Sequence, residues 1–162
     1  MKENYRKNAL TIPSFFITGY FLLGPLIHEL SHLMFIYPSG CEYMFKPDFN
    51  VFTGFRGSYD LSCTAKPLTL GLFYFSGYTG TLLGSVAALY SSSKDLWDED
   101  LLSALGVGML LSIVSSISLK GDVFNGLKAF GLQTHSGSIE IILISLILVL
   151  TVLEVERHHL LD

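Results

Sequence analysis

Two histidines and a glutamate stand close together in His28-Glu29-Leu30-Ser31-His32, which has the pattern H-E-x-x-H. On a helix, residues four positions apart lie on one face, so the imidazole nitrogens of His28 and His32 can bind a single zinc ion. Glu29 then suits the role of the base that takes a proton from water at that ion. The pattern therefore predicts a hydrolytic centre with Zn2+ as its cofactor.

The same three side chains also have a structural interpretation, because short patterns recur by chance and a histidine can belong to a hydrogen-bonded core. The surrounding sequence favours the metal site. The motif lies in a long apolar stretch at about 9–37. A charged group at the centre of a bilayer costs roughly 2.5 kcal/mol or more, and such groups are usually retained for function.

The composition is that of a membrane protein. Of the 162 residues, 50% are hydrophobic and 15% are charged, whereas soluble domains have about 25% charged residues. The net charge of −4 and the lack of a basic block argue against nucleic-acid binding. We therefore predict a single domain at 1–162 that is embedded in the lipid bilayer and binds no nucleic acid.

Four apolar segments predict an all-α integral membrane fold with about four transmembrane helices. The predicted spans are 9–37, 68–91, 101–119 and 138–155. The last span is the most uniformly aliphatic, so we expect it to face lipid.

Prolines and glycines predict how these helices bend and pack. We expect Pro13 to mark the start of the first helix, and Gly24-Pro25 to kink or restart it, because proline lacks the N–H that continues a helix. The second span carries small residues whose spacing predicts close contact with a neighbouring helix: Gly77, Gly80 and Gly84.

The polar connection at 38–67 alternates aromatic and polar residues, which predicts two or three short strands. An open strand edge beside a zinc site could pair with an extended peptide. Both cysteines of the chain, Cys41 and Cys63, lie in this connection. They could form a disulfide in an oxidising compartment or remain free thiols elsewhere.

A catalytic zinc site needs a third protein ligand and an open position for water. The candidates for the third ligand are Glu42, Asp48, Asp60, Asp122, His135 and Glu140. If successive spans alternate in direction, residues just after position 119 lie on the same side as the motif, which favours Asp122. The N-cap of a short helix at 123–132 is a second role that fits Asp122, and its position alone leaves both roles open.

Four features follow one another along the chain: H-E-x-x-H in a first span, a strand-like connection, a second span rich in small residues, and an aspartate near the end of a third span. This order resembles the site-2 protease family of intramembrane zinc metalloproteases. The resemblance covers about 22–127 and implies a minimal member. It implies that His28, His32 and Asp122 bind Zn2+ and that Glu29 activates water. It also implies a metalloendopeptidase whose partners are transmembrane protein substrates, cleaved within their membrane segments in regulated intramembrane proteolysis.

Orientation does not follow from charge, because lysines and arginines are equally frequent on the two predicted sides of the membrane. The resemblance implies that the catalytic side faces the cytoplasm, where the cysteines would be reduced. Two other functions fit the same residues. One is a membrane protein that binds zinc for transport or structure, and the other is an inactive protease-like protein that binds membrane partners; neither requires Glu29 as a base.

Overall fold

The computed structural model describes residues 2–50, 54–62, 66–93, 99–117 and 121–157. In these residues, helices precede and follow a two-stranded sheet. The elements are α1 (Lys2–Thr18), α2 (Gly24–Ile36), β1 (Tyr43–Asn50), β2 (Gly54–Leu61), α3 (Pro67–Ser92), α4 (Glu99–Ser116), α5 (Asp122–Ala129) and α6 (Ser136–Arg157).

Three helical segments of the described chain are long and apolar enough to cross a membrane, which indicates a membrane protein. They are Leu10–Ser39, Pro67–Ser92 and Gln133–Arg157. These segments correspond to the spans predicted at 9–37, 68–91 and 138–155. The predicted span at 101–119 is not established, because the apolar part of α4 is the shorter segment Asp100–Ser116, and positions 118 and 119 lie outside the described residues.

Helix α4 lies at the centre of the bundle, where it packs against α1, α3 and α6. Its side chains Val107, Leu110 and Ile113 are each at most 4% exposed. The backbone of α1 comes close at Gly108, where an added Cβ would overlap the carbonyl oxygen of Phe16. Helix α4 therefore contributes half of the ten buried apolar side chains of the described residues.

The first span consists of α1 and α2 joined by a π-helical turn at Gly19–Leu23. Pro25 lies in the first turn of α2, where its missing N–H is tolerated. The N–H of Gly24 bonds to the carbonyl of Gly19, five residues back. The prediction that Gly24-Pro25 restarts the helix is therefore confirmed, because α1 ends at Thr18 and α2 begins at Gly24.

The prediction that Pro13 starts the first helix is wrong, because α1 begins at Lys2 and contains Pro13. A proline inside a helix removes the hydrogen bond to the carbonyl four residues earlier. Other hydrogen bonds and the packing of α1 on α4 hold the helix together in spite of that loss.

The connection at 38–67 contains the two antiparallel strands of the sheet. Their register runs from Tyr43 opposite Leu61 to Asn50 opposite Gly54. Strand β2 contacts α2, whereas most of β1 is exposed. The sheet therefore covers one side of the helix that carries the H-E-x-x-H motif.

Cys41, just before β1, is disulfide-bonded. Cys63, the other cysteine of the sequence, lies outside the described residues. The disulfide differs from the reduced cysteines that the resemblance implies, and it stabilises the start of the hairpin by restricting the unfolded chain.

Helix α6 exposes long aliphatic side chains along most of its length, among them Ile141, Ile142 and Val149. This exposure is typical of a helix that faces lipid. The helix packs against α4 and α5, and three of its side chains are buried: Glu140, Ile147 and Thr151.

Candidate metal centre

Glycines on α3 let α2 lie close against it. A Cβ added at Gly77 would stand 2.6 Å from Nε2 of His28. One added at Gly80 would overlap the side chain of Ser31, and one at Gly84 would come within 3.1 Å of a side chain of α2. The predicted close packing by these three glycines is confirmed, and at Gly77 the space left by the missing side chain holds the ring of His28.

The structure brings His28, His32 and Asp122 together between α2 and α5. Nε2 of His28 lies 2.8 Å, and Nε2 of His32 lies 3.1 Å, from Oδ2 of Asp122. One possible ligand atom from each side chain lies within 4.8 Å of the other two, so the group could hold a metal ion. Two imidazole nitrogens and a carboxylate oxygen form a donor set that suits catalytic zinc, which leaves a fourth position open.

The ring of His32 is fixed in the orientation that metal binding requires. The side chain is 2% exposed, and its Nδ1 donates a hydrogen bond of 2.7 Å to the carbonyl of Phe73 on α3. When Nδ1 carries the proton, the lone pair of Nε2 is available to a metal ion. Metal-binding histidines commonly donate their second nitrogen to a backbone carbonyl in this way, so the residues fit a bound metal.

Asp122 is the first residue of α5, and the N-cap position belongs to Gly121, which makes no side-chain cap. The sequence left open whether Asp122 is a metal ligand or an N-cap. The structure favours the ligand role, because the carboxylate faces the two histidines. Burial alone would raise the pKa of Asp122, but the hydrogen bonds and charges of His28 and His32 outweigh burial and hold the pKa below its ordinary value. A lowered pKa favours the ionised carboxylate, which is the form that binds a metal ion.

Glu29 lines the same cavity as two of the three possible ligands. A cavity of about 140 Å³ is lined by His28, Glu29 and Asp122 together with residues of β2. Oε1 of Glu29 accepts a hydrogen bond of 2.8 Å from the amide of Gly57, whereas Oε2 is buried without a protein partner. A buried oxygen without a partner requires an explanation, and a polar molecule in the cavity would supply one.

Strand β2 supplies contacts that the sequence reasoning missed. The phenol of Tyr59 donates a hydrogen bond of 2.7 Å to the backbone carbonyl of Glu29. Burial raises the pKa of Tyr59, so the phenol keeps its proton and remains a donor. Next to Gly57 stands Arg56, which also lines the cavity. The sequence feature that could have indicated a role for Arg56 is its place as a single cation between two glycines in an aromatic strand, at Gly54-Phe55-Arg56-Gly57.

The other candidates for the third ligand do not join this group. Four of them have exposed side chains: Glu42, Asp48, Asp60 and His135. Glu140 is 6% exposed, but it lies on α6 and is not part of the group that could hold a metal ion. Comparisons of this chain with protein-family models, curated proteins and solved structures found no match.

Proposed function

We propose that the chain is an intramembrane zinc metalloendopeptidase, similar in plan to the site-2 protease family, that cleaves transmembrane segments of other membrane proteins. One observation carries the proposal. The carboxylate of Glu29 lines the same small cavity as His28 and Asp122, two members of the group that could hold a metal ion. A site that only stores or carries a metal has no need of a buried carboxylate beside the donors, with one oxygen left unpaired.

The side chains divide the chemistry of peptide hydrolysis between them. When bound, zinc would polarise the scissile carbonyl and lower the pKa of water toward about 7. Glu29 takes the proton from the attacking water and later returns it to the leaving amine. The amide of Gly57 holds Oε1 of Glu29, which leaves Oε2 for the proton transfer. The bond from His32 to Phe73 keeps the imidazole aligned throughout.

The edge of β2 supports an extended peptide as the substrate. Gly57 stands opposite Pro47, which has no N–H, and its own N–H bonds to Glu29 instead of β1. The outer edge of β2 therefore borders the cavity. A substrate helix must unwind before cleavage because its carbonyls are hydrogen-bonded, and the unwound segment could then add to this edge as a strand.

The compartment that the site faces is also part of the proposal. The resemblance to the site-2 protease family implies the cytoplasm, whereas the disulfide at Cys41 is typical of oxidising compartments. Because this disulfide belongs to the connection that covers the site, we propose that the site opens to the oxidising side of the membrane.

The first experiment compares the wild type with Glu29→Gln in liposomes that contain a panel of single-span membrane proteins. Glu42→Gln is the matched control, because Glu42 is exposed at the start of the hairpin. Zinc content and cleavage are measured together. We expect all three proteins to retain zinc, and cleavage to be lost only in Glu29→Gln.

Two results would contradict the proposal. A wild type that binds zinc but cleaves nothing, together with zinc transport that depends on Glu29, would identify a carrier. Partner binding by the wild type that survives Glu29→Gln, without cleavage of any substrate, would identify an inactive protease-like protein.

A further inference from the structure

Arg56 on β2 is the positive side chain of the cavity that holds the candidate metal centre. It lines the same 140 Å³ space as His28, Glu29 and Asp122, and it precedes the glycine that holds Glu29. The side chain is half-buried. A substrate that enters this cavity therefore meets a cation beside the candidate centre.

The guanidinium group of Arg56 is largely unused by the protein. Its Nη2 donates to the carbonyl of Ser115 in the last turn of α4, whereas its Nε is buried without a partner. No carboxylate of the described residues lies within 4.0 Å of it. An arginine has five N–H donors, and a partly buried cation without a counter-ion is costly. This cost is explained if the group has a partner that arrives with the substrate.

We propose that Arg56 donates a hydrogen bond to the carbonyl oxygen of the scissile peptide and stabilises the negative charge that this oxygen gains during cleavage. The inference rests on the proposed endopeptidase function. Fixed donors aimed at developing charge commonly supply the largest part of such catalysis.

The proposed step balances without any further reactant. The oxygen of water forms a bond to the carbonyl carbon, and the π electron pair of the carbonyl moves onto its oxygen. Glu29 takes one proton from the water. The carbon–nitrogen bond then breaks as the carbonyl re-forms, and Glu29 gives its proton to the amine nitrogen. Arg56 keeps its proton throughout, because its pKa is far above neutrality.

A purely structural role is the competing interpretation, since the bond to Ser115 satisfies a carbonyl at the end of α4. The two roles differ in what they affect. A residue that only ties the hairpin to α4 affects stability and the binding of every ligand alike. A residue that binds the developing charge affects the turnover and the binding of charged tetrahedral analogues, and leaves ground-state substrate binding almost unchanged.

The test uses the full chain in detergent or liposomes, with Arg56→Gln as the variant. Lys46→Gln is the matched control, because Lys46 is an exposed cation of the same hairpin that pairs with Asp60. Zinc content, kcat, KM and the affinity for a phosphinic pseudopeptide with apolar side chains are measured. We expect Arg56→Gln to lower kcat by about 10²- to 10³-fold and phosphinate affinity by a similar factor, with KM almost unchanged.

A second measurement requires no variant at position 56 and so does not depend on its folding. The chain has only three arginines, Arg6, Arg56 and Arg157. The ¹⁵N-labelled wild type should give one Nε–H signal for each arginine. Variants in which Arg6 or Arg157 is replaced identify the signals of those two residues, and the remaining signal belongs to Arg56. We expect this signal to move downfield when the phosphinic pseudopeptide binds, as for a new hydrogen bond to an anion.

Several outcomes would overturn the inference. If the wild type cleaves its substrates, but the Arg56 signal does not move or Arg56→Gln keeps its kcat and phosphinate affinity, then only the role of Arg56 fails. The role of Arg56 also fails, and the endopeptidase proposal stands, if Arg56→Gln lowers the affinity for zinc, substrate and phosphinate by the same factor. If the wild type neither cleaves a substrate nor binds the phosphinate, the endopeptidase proposal fails, and the role of Arg56 fails with it.

Discussion

The amide nitrogen of Gly57 lies 2.8 Å from Oε1 of Glu29, and this hydrogen bond joins the hairpin to the helix that carries both histidines. The residues on the two sides of the bond are 28 positions apart in the chain. The orientation of the proposed base therefore depends on a strand as well as on its own helix.

Gly57→Ala tests this dependence. The added Cβ would overlap the ring of Phe45 and stand 2.9 Å from Oε2 of Glu29, so the hairpin or the carboxylate must move. A displacement of about 1 Å at a reacting group can lower the rate by about 10²-fold. We expect kcat to fall by at least tenfold while zinc content is unchanged. Ser58→Ala, at the next and exposed position of β2, should retain wild-type kcat.

Gly77→Ala tests the space that α3 leaves for His28. A Cβ at this position would stand 2.6 Å from Nε2 of the ring. We expect zinc affinity to fall by about 10- to 100-fold, comparable to the loss of a supporting residue around a metal. Gly137→Ala is the control, because the same substitution in α6 meets no atom within 4 Å. Equal zinc affinity in both variants, measured by competition with a chelator, would contradict the packing described for His28.

Asp122→Asn tests the third ligand. The substitution keeps the shape of the side chain but removes the charge, so we expect zinc affinity to fall by more than about 100-fold, since removal of supporting groups alone costs 10- to 100-fold. Asp60→Asn provides the comparison, because Asp60 is exposed and pairs only with Lys46 among the ion pairs of the described chain. Unchanged zinc binding in Asp122→Asn would show that another group completes the site.

Tyr59→Phe tests the second link between hairpin and helix. The phenol donates a hydrogen bond to the carbonyl of Glu29, and such a bond stabilises a protein by about 1 kcal/mol. We expect a lower Tm and a moderate loss of kcat, with zinc retained. The control is Tyr37→Phe, because Tyr37 is 81% exposed. A Tm equal to that of the wild type would mean that the hairpin is held in place without this bond.

The oxidation state of Cys41 tests the proposed orientation. Protein purified in the presence of an alkylating agent, without reductant, should take up no label at Cys41, because the residue is disulfide-bonded. After reduction, mass spectrometry should detect a label there. Ready alkylation without reductant would indicate a reducing compartment, as the resemblance to the site-2 protease family implies.

The local part of the site could be predicted from the sequence, because the spacing of His28 and His32 defines a helical face by itself. Asp122 was harder to assign. It lies 94 positions from His28, and only the direction of the intervening spans suggested that the two would meet. Even then the sequence did not separate a ligand from an N-cap, a distinction that depends on where α5 begins.

The contribution of β2 could not be predicted. Alternation along a strand indicates that two faces differ, but it does not identify the element that each face contacts. Arg56, Gly57 and Tyr59 therefore had no assigned role until β2 was placed against α2.

The π-helical turn has a further consequence for the first span. Gly19 and Gly24 are five positions apart, yet an added Cβ at either residue would collide with α4. In an unbroken α-helix two such positions differ by about 140° around the axis, whereas a π turn brings them back into line. The one extra residue of the π turn therefore rotates the faces of α2 by about 100° around the helix axis, relative to an unbroken α-helix. The first span therefore stays in contact with α4 on both sides of the turn, while the histidines of α2 face α3 and α5. The direction in which the H-E-x-x-H face points is thus set by the turn that precedes the motif.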